Sequence, residues 1–517
     1  MISSSPGLRT LAWTSRCAAL AAWLPLAALT AQAPTSRPVE GRQKLVFEAR
    51  IGAPQDHELV RALQAKAAEL FAAGAADFGS VNFANRVFLC PATIAALPLH
   101  ARLFGTAIDQ RMRDPLLQLD YQKPVPWGEV FEDMKAASLD GLDKSWKVKR
   151  MLLHEVARPR GGFRLNFGDS FGDKPIENPL FNSYQDIAHD DFEDRAAARV
   201  KQAPVWLRFD ALSTMSKRER REITGLFGPR AMQLAGSVSR LGNSLALDVY
   251  SGCRPGDGLV GTFLDPKAGP ARVLGAPLSN LGGVLAVNLG KHFTRTARTM
   301  IRAALQQEEM KQYRDLLSDL LDAWTGELTV MIDGPAPPAG VEFRRAIKAL
   351  KALHGTVTFA VDDGAAVKQS LAAFLRSPAA RVLDMDIEPI AGEEVAFKVF
   401  GAKHLVIRNS ERLVSLAVHD TLQGCVADLT TVLAPFNSKL PAAKLGLAQG
   451  PVRLWVHHRL VQYVHSWARY VAPMIAGRAE RTASWSLTQL EKGLLADDVA
   501  ATLQWSRQVG TVLRILL

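Results

Sequence analysis

Ala203-Pro204-Val205-Trp206-Leu207-Arg208-Phe209 is the stretch on which the fold turns, because a second version of it stands at Gly450-Pro451-Val452-Arg453-Leu454-Trp455-Val456. In both, bulky apolar residues alternate with other side chains as a strand with one buried face requires, and a helical pattern follows. Thirty-three residues after each proline, the chain again looks alike: residues 237–245 (SVSRLGNSL) resemble residues 484–494 (SWSLTQLEKGL). In each case a polar or glycine-containing turn separates two alternating runs, the signature of a β-hairpin. The unit is therefore strand, helix, hairpin.

Working outward, the same order is read twice more. Residues 283–289 (GVLAVNL) form a strand, 292–324 one long helix or two, and 326–332 (GELTVMI) the returning strand. Residues 355–361 (GTVTFAV) then lead into a helix over 364–375, followed by strands at 382–387, 395–400, 404–408 and 413–418. The run Asp333-Gly334-Pro335-Ala336-Pro337-Pro338 reads as a linker. Copies of such a unit would bury their apolar faces against one another. Towards the amino terminus, residues 44–51 (KLVFEARI) read as a strand. Residues 56–74 read as a helix, with Leu59, Leu63, Ala67, Leu70 and Phe71 at helical spacing. Further helices are expected over 93–112 and 130–151, then a strand at 162–167 within a loop-rich stretch, 160–184.

The expected fold class is α+β: repeated strand–helix–hairpin units with mainly antiparallel sheets, after an amino-terminal, helix-rich α+β domain. The expected division is 1–33, 34–200, 201–334 and 335–517. The arrangement resembles a family of uncharacterised exported bacterial proteins built from such repeated units. The resemblance covers about residues 200–517 and is carried by the two strand–helix openings, residues 320–330 (LLDAWTGELTV) and the stretch after Gly355. It implies a fold and a compartment, and no activity.

Residues 1–33 have the three parts of an export signal. Arg9 and Arg16 supply positive charge, residues 18–29 (AALAAWLPLAAL) are apolar, and Ala31-Gln32-Ala33 offers small residues for cleavage. The apolar run falls short of the roughly 20 residues that span a bilayer, and Pro25 interrupts it. Pro34 would follow a cut after Ala33, so cleavage after Ala31 stands as the alternative. The expected location is periplasmic or extracellular, with no transmembrane anchor after signal removal. Cys17 leaves with the signal, and Cys90, Cys253 and Cys425 are too few and too scattered for a disulfide framework or a zinc motif. At most one pair could bridge; small buried side chains are the simpler account.

The formal charge of +11 over 517 residues is mild, and the densest basic run, Lys217-Arg218-Glu219-Arg220-Arg221-Glu222, mixes signs on a helix over 213–227. That is a solvated helix face, and it argues against nucleic acid as a partner. The enzymatic candidate is Ser170 in Phe167-Gly168-Asp169-Ser170-Phe171, with Asp186-Ile187-Ala188-His189 downstream. The two blocks resemble the nucleophile and DxxH blocks of GDSL-type esterases, which implies Ser170, Asp186 and His189 as a triad. His189 nevertheless follows Ser170 too closely for an intervening α/β core, and the oxyanion-hole blocks are missing. His457, His458 and His465 form the densest histidine group, at spacings unlike a helical zinc motif and without an intervening carboxylate, so no metal is expected there. Glycines spaced for phosphate are absent, and no cofactor is expected. The sequence thus favours a non-enzymatic binding or structural protein of the cell envelope, whose partner is an envelope component, a glycan or an apolar ligand. A secreted serine hydrolase using Ser170 and His189 is the alternative.

Overall fold

The computed structural model describes residues 43–52, 60–61, 96, 98–108, 111–127, 137–138, 144–148, 151–158, 161–169, 202–210, 215, 217–241, 244–308, 311–333, 354–376, 388–389, 395–399, 403–434, 450–460, 498–507 and 510–516. The class is a sheet-rich α+β fold with antiparallel pairing throughout the two units. One compact unit comprises Met1–Gly225 with Pro229–Gly252, the other Leu226–Gly228 with Cys253–Leu517.

Among the described residues the first unit holds ten strands: β1 (Gln43–Ile51), β2 (Leu99–Ile108), β3 (Arg111–Tyr121), β4 (Ala137–Ser138), β5 (Ser145–Val148), β6 (Met151–Ala157), β7 (Phe163–Asp169), β8 (Val205–Asp210), β9 (Gln233–Leu241) and β10 (Ser244–Ser251). Their spatial order is β4-β5-β6-β7-β3-β2-β1-β8-β9-β10. Helix α1 (Lys217–Phe227) lies between β8 and β9 in the chain. One sheet face is apolar: Phe47, Leu99, Ala101, Leu103, Leu117, Leu119, Leu153, Leu165 and Phe209 pack with Val60 and Trp127 into a single core. Against β2, β1 shifts register between Leu45 and Phe47, and this irregularity lets both Val46 and Phe47 join that core. The β6–β7 turn needs glycine, because Gly162 sits at φ +83° and a Cβ there would lie 2.6 Å from the Tyr121 carbonyl oxygen.

Two expected helices are corrected here. Residues 99–108 and 111–121 are β2 and β3, and residues 145–148 and 151–157 are β5 and β6. The period that wins is two, with Leu99, Ala101 and Leu103 facing Leu117, Leu119 and Tyr121 across the pair. The described part of the amino-terminal region is accordingly sheet rather than helix-rich. The two compact units divide near Gly252–Cys253. β8 pairs with β1 across position 200, and strand Trp324–Asp333 pairs with strand Gly355–Val361 across position 334.

The second unit holds helix α2 (Gly258–Phe263), β11 (Leu281–Asn288), α3 (Gly290–Ala304), α4 (Lys311–Ala323), β12 (Trp324–Asp333), β13 (Gly355–Val361) and α5 (Gly364–Arg376). It continues with β14 (Glu388–Pro389), β15 (Ala396–Val399), β16 (Lys403–Asn409), β17 (Leu413–His419), α6 (Leu422–Val432), β18 (Val452–Val456), β19 (Val499–Ser506) and β20 (Gly510–Leu516). The strand order is β20-β19-β18-β11-β12-β13-β17-β16-β15-β14, all antiparallel. Helices cover both faces. Val367, Leu371 and Ala372 of α5 pack on Phe397, Ile407 and Val414. On the other side Cys425 and Leu429 of α6 pack on Ala396, Val406 and Ala417. The expected strands at 283–289, 326–332, 355–361, 404–408 and 413–418 are present, and the stretch 292–324 resolves into two helices. Residues 484–494, the second half of the quoted resemblance, lie outside the described residues, as does most of the expected helix over 56–74.

Cys253 and Cys425 are buried, and neither stands in a disulfide. Burial raises both thiols, that of Cys425 to about 11. A thiol held so far above neutrality is almost wholly protonated and unreactive. A chain lacking residues 1–33 should therefore show, when native, at most one thiol reactive towards an aromatic disulfide reagent, and three once unfolded; a second fast-reacting native thiol would contradict the burial. Among the described residues no helix is long and apolar enough to cross a membrane.

Candidate functional site

The other face of the first sheet is polar, and its residues stand in unbroken register. Tyr250, Ala235, Arg208, Glu48, Arg102, Gln118, Asn166, His154 and Ser145 are successive cross-strand partners over nine strands. A second row runs beside it: Asp248, Ser237, Trp206, Arg50, His100, Asp120 and Arg164. Both rows follow from period-two alternation, which sends every second side chain of each strand to one face. From Arg208 to Asn166, no member of the first row is more than 6% exposed. That stretch of the polar face is therefore buried, while Arg50 of the second row is exposed and His100 half-buried; an alternating antiparallel sheet ordinarily gives its whole polar side to solvent.

Charges in such a place require close pairing, since an unpaired buried ion costs several kcal/mol. Asp120 receives Arg164 in two-pronged fashion, Nε to Oδ1 at 2.6 Å and Nη2 to Oδ2 at 2.9 Å. Arg102 Nη2 donates to Oδ2 at 2.8 Å, and Arg158 Nη1 stands 3.4 Å from the same oxygen. Three guanidinium groups thus converge on one carboxylate. Glu48 is the second anionic centre: Arg208 Nε donates to Oε2 at 2.5 Å, and His100 Nε2 to Oε1 at 2.7 Å. Burial alone would push the Glu48 carboxyl up. The His100 hydrogen bond and the Arg208 charge outweigh it and hold the group down at about 2. A carboxylate so firmly ionised is a weak base at neutral pH, which suits Glu48 to holding partners in place rather than to proton transfer.

Gln118 breaks the pattern of satisfied pairs. It is fully buried between Arg102 and Asn166, and among the described residues neither its Nε2 nor its Oε1 has a hydrogen-bond partner. Trp206, 5% exposed on the same face and 6.2 Å from His100 between ring centroids, likewise leaves its indole Nε1 unpartnered there. Buried donors and acceptors are otherwise nearly always satisfied, so an amide and an indole whose every polar side-chain atom is unpartnered need an account. The strand spacing puts them roughly 15 Å apart.

No family model, curated protein or solved structure matches this chain.

Of the residues marked out by motif, Ser170, Asp186 and His189 lie outside the described residues; β7 ends at Asp169, one residue before Ser170. His457 and His458 are described and His465 is not. Glu48, Arg102, Gln118, Asp120, Arg164, Trp206 and Arg208 carry no motif. Their signal is the alternation itself, as in KLVFEARI or LLQLDY, which reads as a solvated edge of a sheet until burial is known.

Proposed function

We propose that the protein is exported and acts as a non-enzymatic binding protein of the cell envelope, holding a hydroxyl-rich ligand of the glycan class on the polar face of its first sheet. The observation that carries this is Gln118, a fully buried amide with unpartnered donor and acceptor atoms in the middle of that face. A sugar hydroxyl both donates and accepts, and so can serve Oε1 and Nε2 of Gln118 together and, further along, the Trp206 indole N–H. A separation of roughly 15 Å by strand spacing suits an oligosaccharide better than a single ring. Planar Arg, Asn and Gln groups beside an aromatic ring add hydrogen bonding and stacking of the kind sugars use. Export rests on the charged, apolar and small-residue segments of residues 1–33. The reading of a repeated unit rests on the sequence likeness of residues 203–209 to 450–456.

The test uses the mature chain and its Gln118→Leu variant, with envelope oligosaccharides as titrants in calorimetry. Leaving a buried polar group unsatisfied costs about 1–3 kcal/mol, and an apolar replacement of similar size removes that cost. Gln118→Leu should therefore bind about tenfold or more weakly while unfolding at the same or a higher temperature, by about 2–4 °C per kcal/mol gained. A variant that binds normally, or one that melts well below the parent, would show Gln118 to be a structural residue and remove the basis of the reading.

A further inference from the structure

His457 and His458 directly follow β18, and Asp498 directly precedes its antiparallel neighbour β19. The pair Val456↔Val499 ends that ladder, so strand register alone brings a carboxylate from 40 residues away to the two histidines. The backbone is fixed here: His457 N donates to the Gly282 carbonyl at 2.8 Å, and Leu460 N to the His457 carbonyl at 2.9 Å. Asp498 Oδ1 accepts the His458 backbone N–H at 3.0 Å and stands 3.4 Å from His458 Nδ1. The two imidazole rings lie with centroids 4.0 Å apart and planes inclined by 38°. All three residues are half-buried, and one ligand atom of each lies within 4.8 Å of those of the other two.

We propose that His457, His458 and Asp498 form a binding site for a divalent transition ion of the zinc class. An ion pair between His458 and Asp498 accounts for two of the three groups; it gives no reason for the second imidazole to be stacked beside them. Two imidazole nitrogens and one carboxylate oxygen are the donor set that zinc, nickel and copper favour over magnesium or calcium. Three protein ligands leave a coordination position for water or an exogenous group. In a tetrahedral zinc site with bonds of about 2.0–2.1 Å, ligand atoms stand about 3.4 Å apart, so the observed spread closes by small side-chain rotations. His457 Nδ1 accepts a hydrogen bond from Arg459 N at 3.3 Å, and that bond is long enough for ligation at this nitrogen to replace it.

The test is calorimetry of the mature protein, stripped with chelator and free of any histidine tag, with Zn²⁺ alone and then Co²⁺ as probes. Co²⁺ should develop the visible absorption of a low-coordinate site, and one equivalent of Zn²⁺ should displace it. His458→Ala and Asp498→Asn should each weaken binding about tenfold or more. His419→Ala, which removes a histidine elsewhere in the same unit, should bind as the parent does. Asp498→Asn preserves size and a hydrogen-bonding oxygen, so it stays informative if His458→Ala folds poorly. No saturable uptake at about 100 µM Zn²⁺, corresponding to a binding energy weaker than about 5–6 kcal/mol, overturns the proposal. So does retention of parental affinity in Asp498→Asn, or loss of binding in His419→Ala.

Discussion

Asp120→Ala is expected to destabilise the first unit by about 3–5 kcal/mol, the amount lost when one member of a buried ion cluster is removed and its partners keep their charge. Asp120 is 5% exposed and Arg164 fully buried, and the two share both carboxylate oxygens, while Arg102 and Arg158 crowd the same group. Deleting the carboxylate leaves that positive charge on a face shielded from water, where repulsion among guanidinium groups is weakly screened. Unfolding in urea, followed by tryptophan fluorescence, reads the loss. Asp120→Asn separates shape from charge, because the amide keeps the volume and one acceptor; it should fall between the parent and Asp120→Ala. A double-mutant cycle with Arg164→Met gives the coupling directly, and the pair should recover part of the single-variant loss. A change below about 1 kcal/mol in Asp120→Ala would mean that the cluster is solvated in solution, as weakly coupled surface pairs are.

The buried ionic cluster is not legible in the chain alone, and the reason is physical. Alternation in KLVFEARI, GFRLNF and VWLRFD tells which side chains share a face, and it correctly foretells β1, β7 and β8 as strands. It does not tell what lies over that face. A row of Glu48, Arg102 and Arg208 has the same periodicity whether it meets water or is buried, so the charged side looks like an exposed one. The second unit was more legible, because its short runs of valine, leucine and threonine are bounded by glycine and by strongly periodic helices such as Gly290–Ala304 and Gly364–Arg376. The missed strands at Leu99–Ile108 and Ser145–Val148 fail for the opposite reason. Their neighbourhoods also carry apolar residues at three- and four-residue spacing, and local periodicity cannot rank a helix against a strand whose partner is far away in sequence. The His457, His458 and Asp498 group shares that non-local origin: two members are adjacent, and the third is supplied by the register of β18 with β19.

Glu48 makes the stability of the first unit acid-sensitive in a defined window. Its carboxyl stands at about 2 in the folded chain, against 4.5 for an unperturbed one, because His100 and Arg208 favour the ionised form more than burial disfavours it. A group whose folded value is depressed adds stability that is fully present above the unfolded value and is lost as the pH falls towards the folded one. For Glu48 that loss runs from roughly pH 4.5 to pH 2 and amounts to about 3 kcal/mol. Other carboxylates titrate in the same range, so the informative quantity is the difference between the parent and Glu48→Gln at each pH. At pH 7 the variant should be the less stable by about that amount, since Arg208 keeps its charge beside a neutral amide. Below pH 4.5 the two stability curves should converge as protonation neutralises Glu48 in the parent. Curves that stay parallel from pH 7 to pH 2.5 would mean that the Arg208–Glu48–His100 contact does not govern the ionisation of this carboxyl. The ionic face would then draw its stability from Asp120 and its arginines alone.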